Sequence, residues 1–244
     1  MSNSPLVVHT RISPNKTSPR NRKIDTITIH CVVGQCTAES LGALFADSAR
    51  QASSNYGVDK DGRVGLYVDE GDRSWCSGGT DANGKPILVN GISGGDNDHR
   101  AITIEVASDT AHPYAATDKA MDGLIALLTD ICKRNGIPKL LWKDDKSLVG
   151  KVNELNMTAH RWFANKACPG DYLYDRHDEI AWKVNTKLGV IEPPPVRLVR
   201  NAIVYLSTVG VINSPDYWLN QLGDEFWLGQ LFLNVETIIR RLMK

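Results

Sequence analysis

The apolar positions of this 244-residue chain recur with two different periods, and the period changes mark its elements. Residues 24–33 (IDTITIHCVV) are rich in β-branched side chains and apolar on both faces toward their end, which predicts a buried strand. Residues 101–107 (AITIEVA) predict a second. Thr37 offers an N-cap for a helix running to about residue 50, with Leu41, Leu44 and Phe45 at helical spacing. Residues 55–69 predict a hairpin turning at Asp61-Gly62. Residues 77–98, rich in Gly, Asn and Asp, predict a long loop. Residues 117–135 form an amphipathic pattern with Met121, Leu124, Ile125, Leu128, Ile131 and Cys132 on one stripe, ended by Gly136 and Pro138. A short strand is predicted over 140–142 and a further helix over 171–188, with Ile180, Ala181, Val184 and Leu188 inward. The alternation predicts the α/β class, a mixed central sheet covered by helices.

Two segments stand apart from that pattern. Residues 1–23 carry five basic residues, no acid and three prolines, and predict an irregular arm that wraps the surface. Residues 191–196 (IEPPPV) are a stiff polyproline stretch and the best domain boundary. The predicted organisation is a large α/β domain over 1–189, a linker over 190–196 and a small all-α domain over 197–244. In the last, helices are predicted over 197–209, 215–222 and 225–243. Ser214-Pro215 opens the middle one and Gly223 stops it. Phe226, Trp227, Leu231, Val235, Ile238, Ile239 and Leu242 form a broad apolar face. Such a unit either tethers the larger domain to its target, as a cell-wall-targeting module does, or pairs copies of the chain into a homo-oligomer.

Composition narrows the function. The chain is 42% hydrophobic and 23% charged, and its formal net charge is +0, which argues against a nucleic-acid partner. No apolar run reaches the roughly 18–20 residues of a membrane helix, so no membrane insertion is expected. The N-terminus lacks a secretory signal pattern, and the five cysteines contain no CxxC pair. Both features favour synthesis in a reducing compartment.

The chemistry concentrates on three residues far apart in the chain. His30 ends the first predicted strand, His160 lies in TAHRWF, and Cys168 lies in NKACPG. Two imidazoles and one thiol suit a catalytic zinc site, which keeps one coordination position open. Thr103, Glu105 and Ala107 point to one side of their strand, so the Glu105 carboxylate can face such a site from the sheet. Cys31 adjoins His30 on the opposite strand face and is expected in the core.

An ordered set of motifs goes further: IDTITIH (24–30), VDKDGRVGLYV (58–68), WCSGG (75–79), AITIEV (101–106) and TAHRWFANKACPGD (158–171). With these motifs the chain resembles the zinc-dependent N-acetylmuramoyl-L-alanine amidases of the type-2 amidase family, over roughly residues 12–188. The ISPN at 12–15 is similar to that of prophage lysins in this group. The resemblance implies a type-2 amidase, peptidoglycan-recognition-like fold. It implies one Zn²⁺ per chain on His30, His160 and Cys168, a catalytic Glu105, and Lys166 aimed at the developing oxyanion. The implied substrate is bacterial peptidoglycan. The implied reaction is hydrolysis of the amide between N-acetylmuramic acid and L-alanine by a zinc-activated water. Synthesis in a host cytoplasm, followed by release to the wall, fits an endolysin; export of an autolysin by another route is the alternative.

Tyr56, Trp75 and Trp162 are candidate substrate contacts. The chain departs from the family pattern at Ser54 and Asn55, where relatives carry Tyr or His, and at Cys76, where relatives read WHAG. Two other functions compete with the amidase. One is a non-catalytic peptidoglycan-binding module of the same fold. The other is a cysteine hydrolase using Cys168 with His160.

Overall fold

The two β-branched runs form the middle of the sheet. In a computed structural model of the chain, which describes residues 2–220 and 226–242, Thr26–Cys31 (β2) and Ala101–Val106 (β5) lie side by side, parallel. Ile27, Ile29, Ile102 and Ile104 are fully buried. Branched side chains on both faces of a central strand need cover on both sides, and helices supply it. The full sheet has six strands, completed by Val7–Thr10 (β1), Tyr56–Val58 (β3), Val64–Leu66 (β4) and Met157–Ala159 (β6), in the order β1-β4-β3-β5-β2-β6. The β3–β4 pair alone is antiparallel, so the sheet is mixed as expected.

The predicted hairpin is this β3–β4 pair. Asp59 caps its turn, accepting from Asp61 N and Arg63 N at 2.9 Å each, and Gly62 takes φ 83. The helix after Thr37 runs over Ala38–Ala46 (α1), and a separate 3-10 turn follows at Ser48–Arg50. The amphipathic helix occupies Asp118–Asn135 (α3). Thr117 accepts from Ala120 N at its start, and Gly136 closes it with left-handed φ 66.

Four expectations are corrected. The N-terminal arm contributes strand β1, parallel to β4. That strand is only four residues long and half exposed, so it carries little apolar signal. The expected loop over 77–98 contains Gly94–Arg100 (α2), started by a Ser93/Asp96 capping box. Its sequence, GGDNDHR, has no apolar period to betray a helix. Residues 140–142 form no strand. The helix expected over 171–188 is two helices, Gly170–Tyr174 (α4) and His177–Lys187 (α5).

The contacts of the chain divide it into two units, Met1–His177 and Asp178–Lys244. The division falls after His177, the first residue of α5. In the second unit Val196–Thr208 (α6), Pro215–Asn220 (α7) and Phe226–Leu242 (α8) pack around Val199, Ala202, Ile203, Leu206 and Phe232. Leu231, placed on the apolar face by the sequence pattern, is 56% exposed. Gly223 and the side chains of Phe226, Trp227, Ile238 and Leu242 lie outside the described residues. Among the described residues no helix is long and apolar enough to cross a membrane.

Candidate active site

Three segments deliver the predicted ligands to one place. His30 is the penultimate residue of β2. His160 follows β6, which pairs with β2, and Cys168 lies on the loop that leads into α4. One donor atom from each of His30, His160 and Cys168 lies within 4.8 Å of the other two. Cys168 Sγ and His30 Nδ1 are 3.4 Å apart. His30 thus meets two residues more than a hundred positions away in sequence.

Burial sets their protonation. It holds His30 well below the ordinary imidazole range, with the charges of His160 and Lys166 acting the same way. It lowers His160 to about 4, assisted by Lys166 and opposed by a backbone hydrogen bond with Gly78. Both rings are therefore neutral near pH 7, as a metal ligand must be. His160 Nε2 is buried without a hydrogen-bond partner among the described residues. A polar atom in that state is costly unless something occupies its lone pair.

Glu105 stands in register with His30 on the neighbouring parallel strand, so the two side chains share one face of the sheet. Burial, reinforced by Cys31, lifts its carboxyl to about 8, while Arg50 and Lys166 favour the ionised form. Its Oε2 has no partner among the described residues. Glu105, His160, Lys166 and Cys168 line one cavity of about 350 Å³, together with Arg50 and an apolar side that includes Leu41, Leu44 and Phe45. A second donor group, His30 with Cys76 and Glu105, meets the same 4.8 Å criterion and shares His30 with the first. Burial pushes the Cys76 thiol up, and Glu105 adds to the effect.

Several site expectations change. Tyr56 is fully buried, and its hydroxyl donates to Glu70 at 2.7 Å and accepts from Ser4 N. It is a core residue, not a substrate contact. Trp162 stacks flat on Trp142, centroids 5.2 Å apart, within an apolar cluster away from the cavity lining. Trp75 is half buried, with its indole N–H donating to Thr17, and is likewise absent from the lining. Ser54 and Asn55 are buried hydrogen-bonding residues that tie β3 to Thr103.

Cys31 is buried, as the strand pattern predicts, and it also borders the cavity. It is the last residue of β2, the chain leaves the sheet there with Val33 at φ 59, and its thiol lines the cavity. Its thiol and that of Cys168 act on each other, holding Cys31 below and Cys168 above the ordinary thiol range. All five cysteines are free.

Sequence reasoning missed two supporting residues. Ser77 Oγ lies 3.4 Å from His30 Nε2. Asp98, fully enclosed, accepts from Cys76 N and Ser77 N at 2.9 and 2.8 Å and fixes the segment beside His30. Asp98 sits in a run of Gly, Asn and Asp, where one acid among several carries no distinguishing signal.

Two buried imidazoles, a half-buried thiol and a half-buried glutamate, gathered beside the central strands of a mixed α/β sheet, make a donor set suited to a transition metal. A profile of the family described as N-acetylmuramoyl-L-alanine amidase matches residues 20–171, and the chain belongs to that family. Among solved structures it is similar to the PlyG catalytic domain, at 17% identity and TM-score 0.51, covering 77% of this chain and 98% of that one. A mutant structure of PlyL is similar at 15% identity and TM-score 0.50, covering 76% and 99%. At these identities the likeness speaks for the fold. No curated protein was matched by sequence.

Proposed function

We propose that the chain hydrolyses the amide bond between N-acetylmuramic acid and the first L-alanine of the stem peptide in bacterial peptidoglycan, with one zinc ion held by His30, His160 and Cys168. It acts at the cell wall in the manner of an endolysin. The observation that carries this reading is the convergence of these three donors beside Glu105, inside the span matched by the amidase family.

The donor set fits zinc. A tetrahedral ion with Zn–N near 2.0 Å and Zn–S near 2.3 Å sets nitrogen and sulfur about 3.5 Å apart. Cys168 Sγ and His30 Nδ1 stand at 3.4 Å. The unpartnered His160 Nε2 gains a partner in the same act. Three protein ligands leave one position open, as catalytic zinc sites require. When bound, the ion polarises the scissile carbonyl and lowers the pKa of water toward about 7.

The chain's own groups do the rest. Glu105, on the same sheet face as His30, takes a proton from the attacking water and returns it to the leaving amine. Lys166, exposed at the rim of the same cavity, donates to the oxygen on which negative charge develops.

The cysteine-hydrolase reading is disfavoured by the setting of Cys168, which lies in a Cys-Pro-Gly loop ahead of α4 rather than on the strand–nucleophile–helix turn of such enzymes. The non-catalytic reading is disfavoured by Glu105, whose buried, unpartnered oxygen a mere binding module has no reason to keep. Mass spectrometry of digested walls tests the proposal: free stem peptides beginning at L-alanine support it, and new reducing sugar ends without such peptides overturn it.

A further inference from the structure

We propose that Arg50 is a specificity residue that binds a free carboxylate on the second residue of the stem peptide. The inference rests on the amidase reading. It names the substrate class within that reading: acidic stem peptides, rather than those amidated at their second residue. In peptidoglycan the L-alanine is followed by a glutamate joined through its side-chain carboxyl, so its α-carboxyl is either free or amidated.

The argument starts from an unassigned charge. Two cations line the catalytic cavity, Arg50 and Lys166. Lys166 has a task at the scissile carbonyl. Arg50 is exposed and makes no ion pair among the described residues, yet it is near enough to Glu105 to favour the ionised carboxylate. An arginine presents a planar fork of donors that matches a carboxylate.

The second observation is how firmly the chain holds the segment that carries Arg50. After α1 ends, Asp47 Oδ1 accepts from Ala49 N at 2.9 Å. Gln51 turns left-handed at φ 52, and its side chain donates to Ser48 O. From beneath, Asn15 is 2% exposed, and its amide donates to Asp47 O at 2.8 Å and Ala52 O at 3.3 Å. Ser13 Oγ donates to Phe45 O, and Ser53 Oγ donates to Asn15 O. The ISPN segment at 12–15 thus clamps residues 45–53 from one side. Such bracing is unnecessary for a surface turn, but it is what a binding group held to a fixed position needs.

The test uses the full-length, zinc-loaded chain and two synthetic stem tetrapeptides beginning at L-alanine. One has a free α-carboxyl at residue two and the other a carboxamide. Calorimetric titration should show the free acid binding about tenfold or more tightly, as a charge-assisted pair implies. Arg50→Gln should bring the two affinities to within about twofold, and Arg50→Lys should recover part of the gap, since a lysine keeps the charge and loses the fork. A wild-type chain that does not discriminate, or an Arg50→Gln chain that discriminates as well as wild type, overturns the proposal. The bond cut is read separately by mass spectrometry, so loss of the amidase reading and loss of Arg50's role give different results. Arg50 is exposed, and an unchanged melting curve checks that the variant folds.

Discussion

The two units of the chain differ in what they bury. In residues 1–177, the interior holds polar and charged groups alongside the apolar ones: His30, Asp98, Glu70, Arg20 and the hydroxyl of Tyr56. Most make hydrogen bonds, while Asp98 Oδ1, Glu105 Oε2 and His160 Nε2 are left without a partner among the described residues. The Arg20 guanidinium, for example, donates to the carbonyls of Glu70, Asp72, His99 and Ala101. In residues 178–244, by contrast, Asn185 is the one buried polar residue among those described, and the helical core is a five-residue apolar cluster. A six-stranded sheet supplies enough backbone and apolar cover to hold ionisable groups out of water with their partners. A small helical unit does not. Catalytic chemistry that depends on shifted pKa values therefore belongs to the first unit on physical grounds.

The contrast is easiest to break at the donor set. Cys168→Ala or His160→Ala should abolish zinc retention, lowering affinity by more than the roughly 10–100-fold that outer-shell changes cause, as read by metal analysis after dialysis. Glu105→Gln should keep its zinc and lose stem-peptide release by about 10²–10⁴-fold. A Gln variant that releases peptide at the wild-type rate would remove Glu105 from the mechanism.

Leu206→Ala probes the other unit. Leu206 is fully buried, and such truncations cost about 2–5 kcal/mol. A unit of this length has only roughly 3–10 kcal/mol of stability. The helices of residues 196–242 should melt early in calorimetry while zinc affinity stays at the wild-type value. Simultaneous loss of both would show that the units do not behave separately.

The smallest effect expected is on pH dependence. In the unfolded chain His177 titrates near 6.5, and burial lowers it to about 4 in the fold. Above pH 6.5 both states are neutral and the stability is full. As the pH falls from 6.5 toward 4, only the unfolded chain gains the proton, so stability is lost. At pH 5 the loss attributable to His177 is about 2 kcal/mol by that linkage. Urea titrations of the wild type and His177→Phe should show a shallower fall for the variant; identical slopes would contradict the assignment.

How much of this was legible in the sequence depends on the kind of signal each residue carries. Strands β2 and β5 announce themselves through unbroken β-branched runs, and α3 through its stripe and both caps. His30, His160, Cys168 and Glu105 came from motif order, and the fold brings them together. Strand β1 and helix α2 were missed because neither has an apolar period; one is a short edge strand and the other starts from a polar capping box. Tyr56 and Trp162 were misassigned because an aromatic residue near a motif looks the same whether it packs inward or outward. Arg50 depends on a loop braced by residues some thirty-five positions away, a relation that only the folded chain displays.

X-ray absorption at the zinc edge of the loaded, full-length protein addresses the central claim most directly. The account predicts one sulfur at about 2.3 Å and two imidazole nitrogens at about 2.0–2.1 Å, with the sulfur lost in Cys168→Ser. A wild-type spectrum without a sulfur neighbour, or one that Cys168→Ser leaves unchanged, would contradict it.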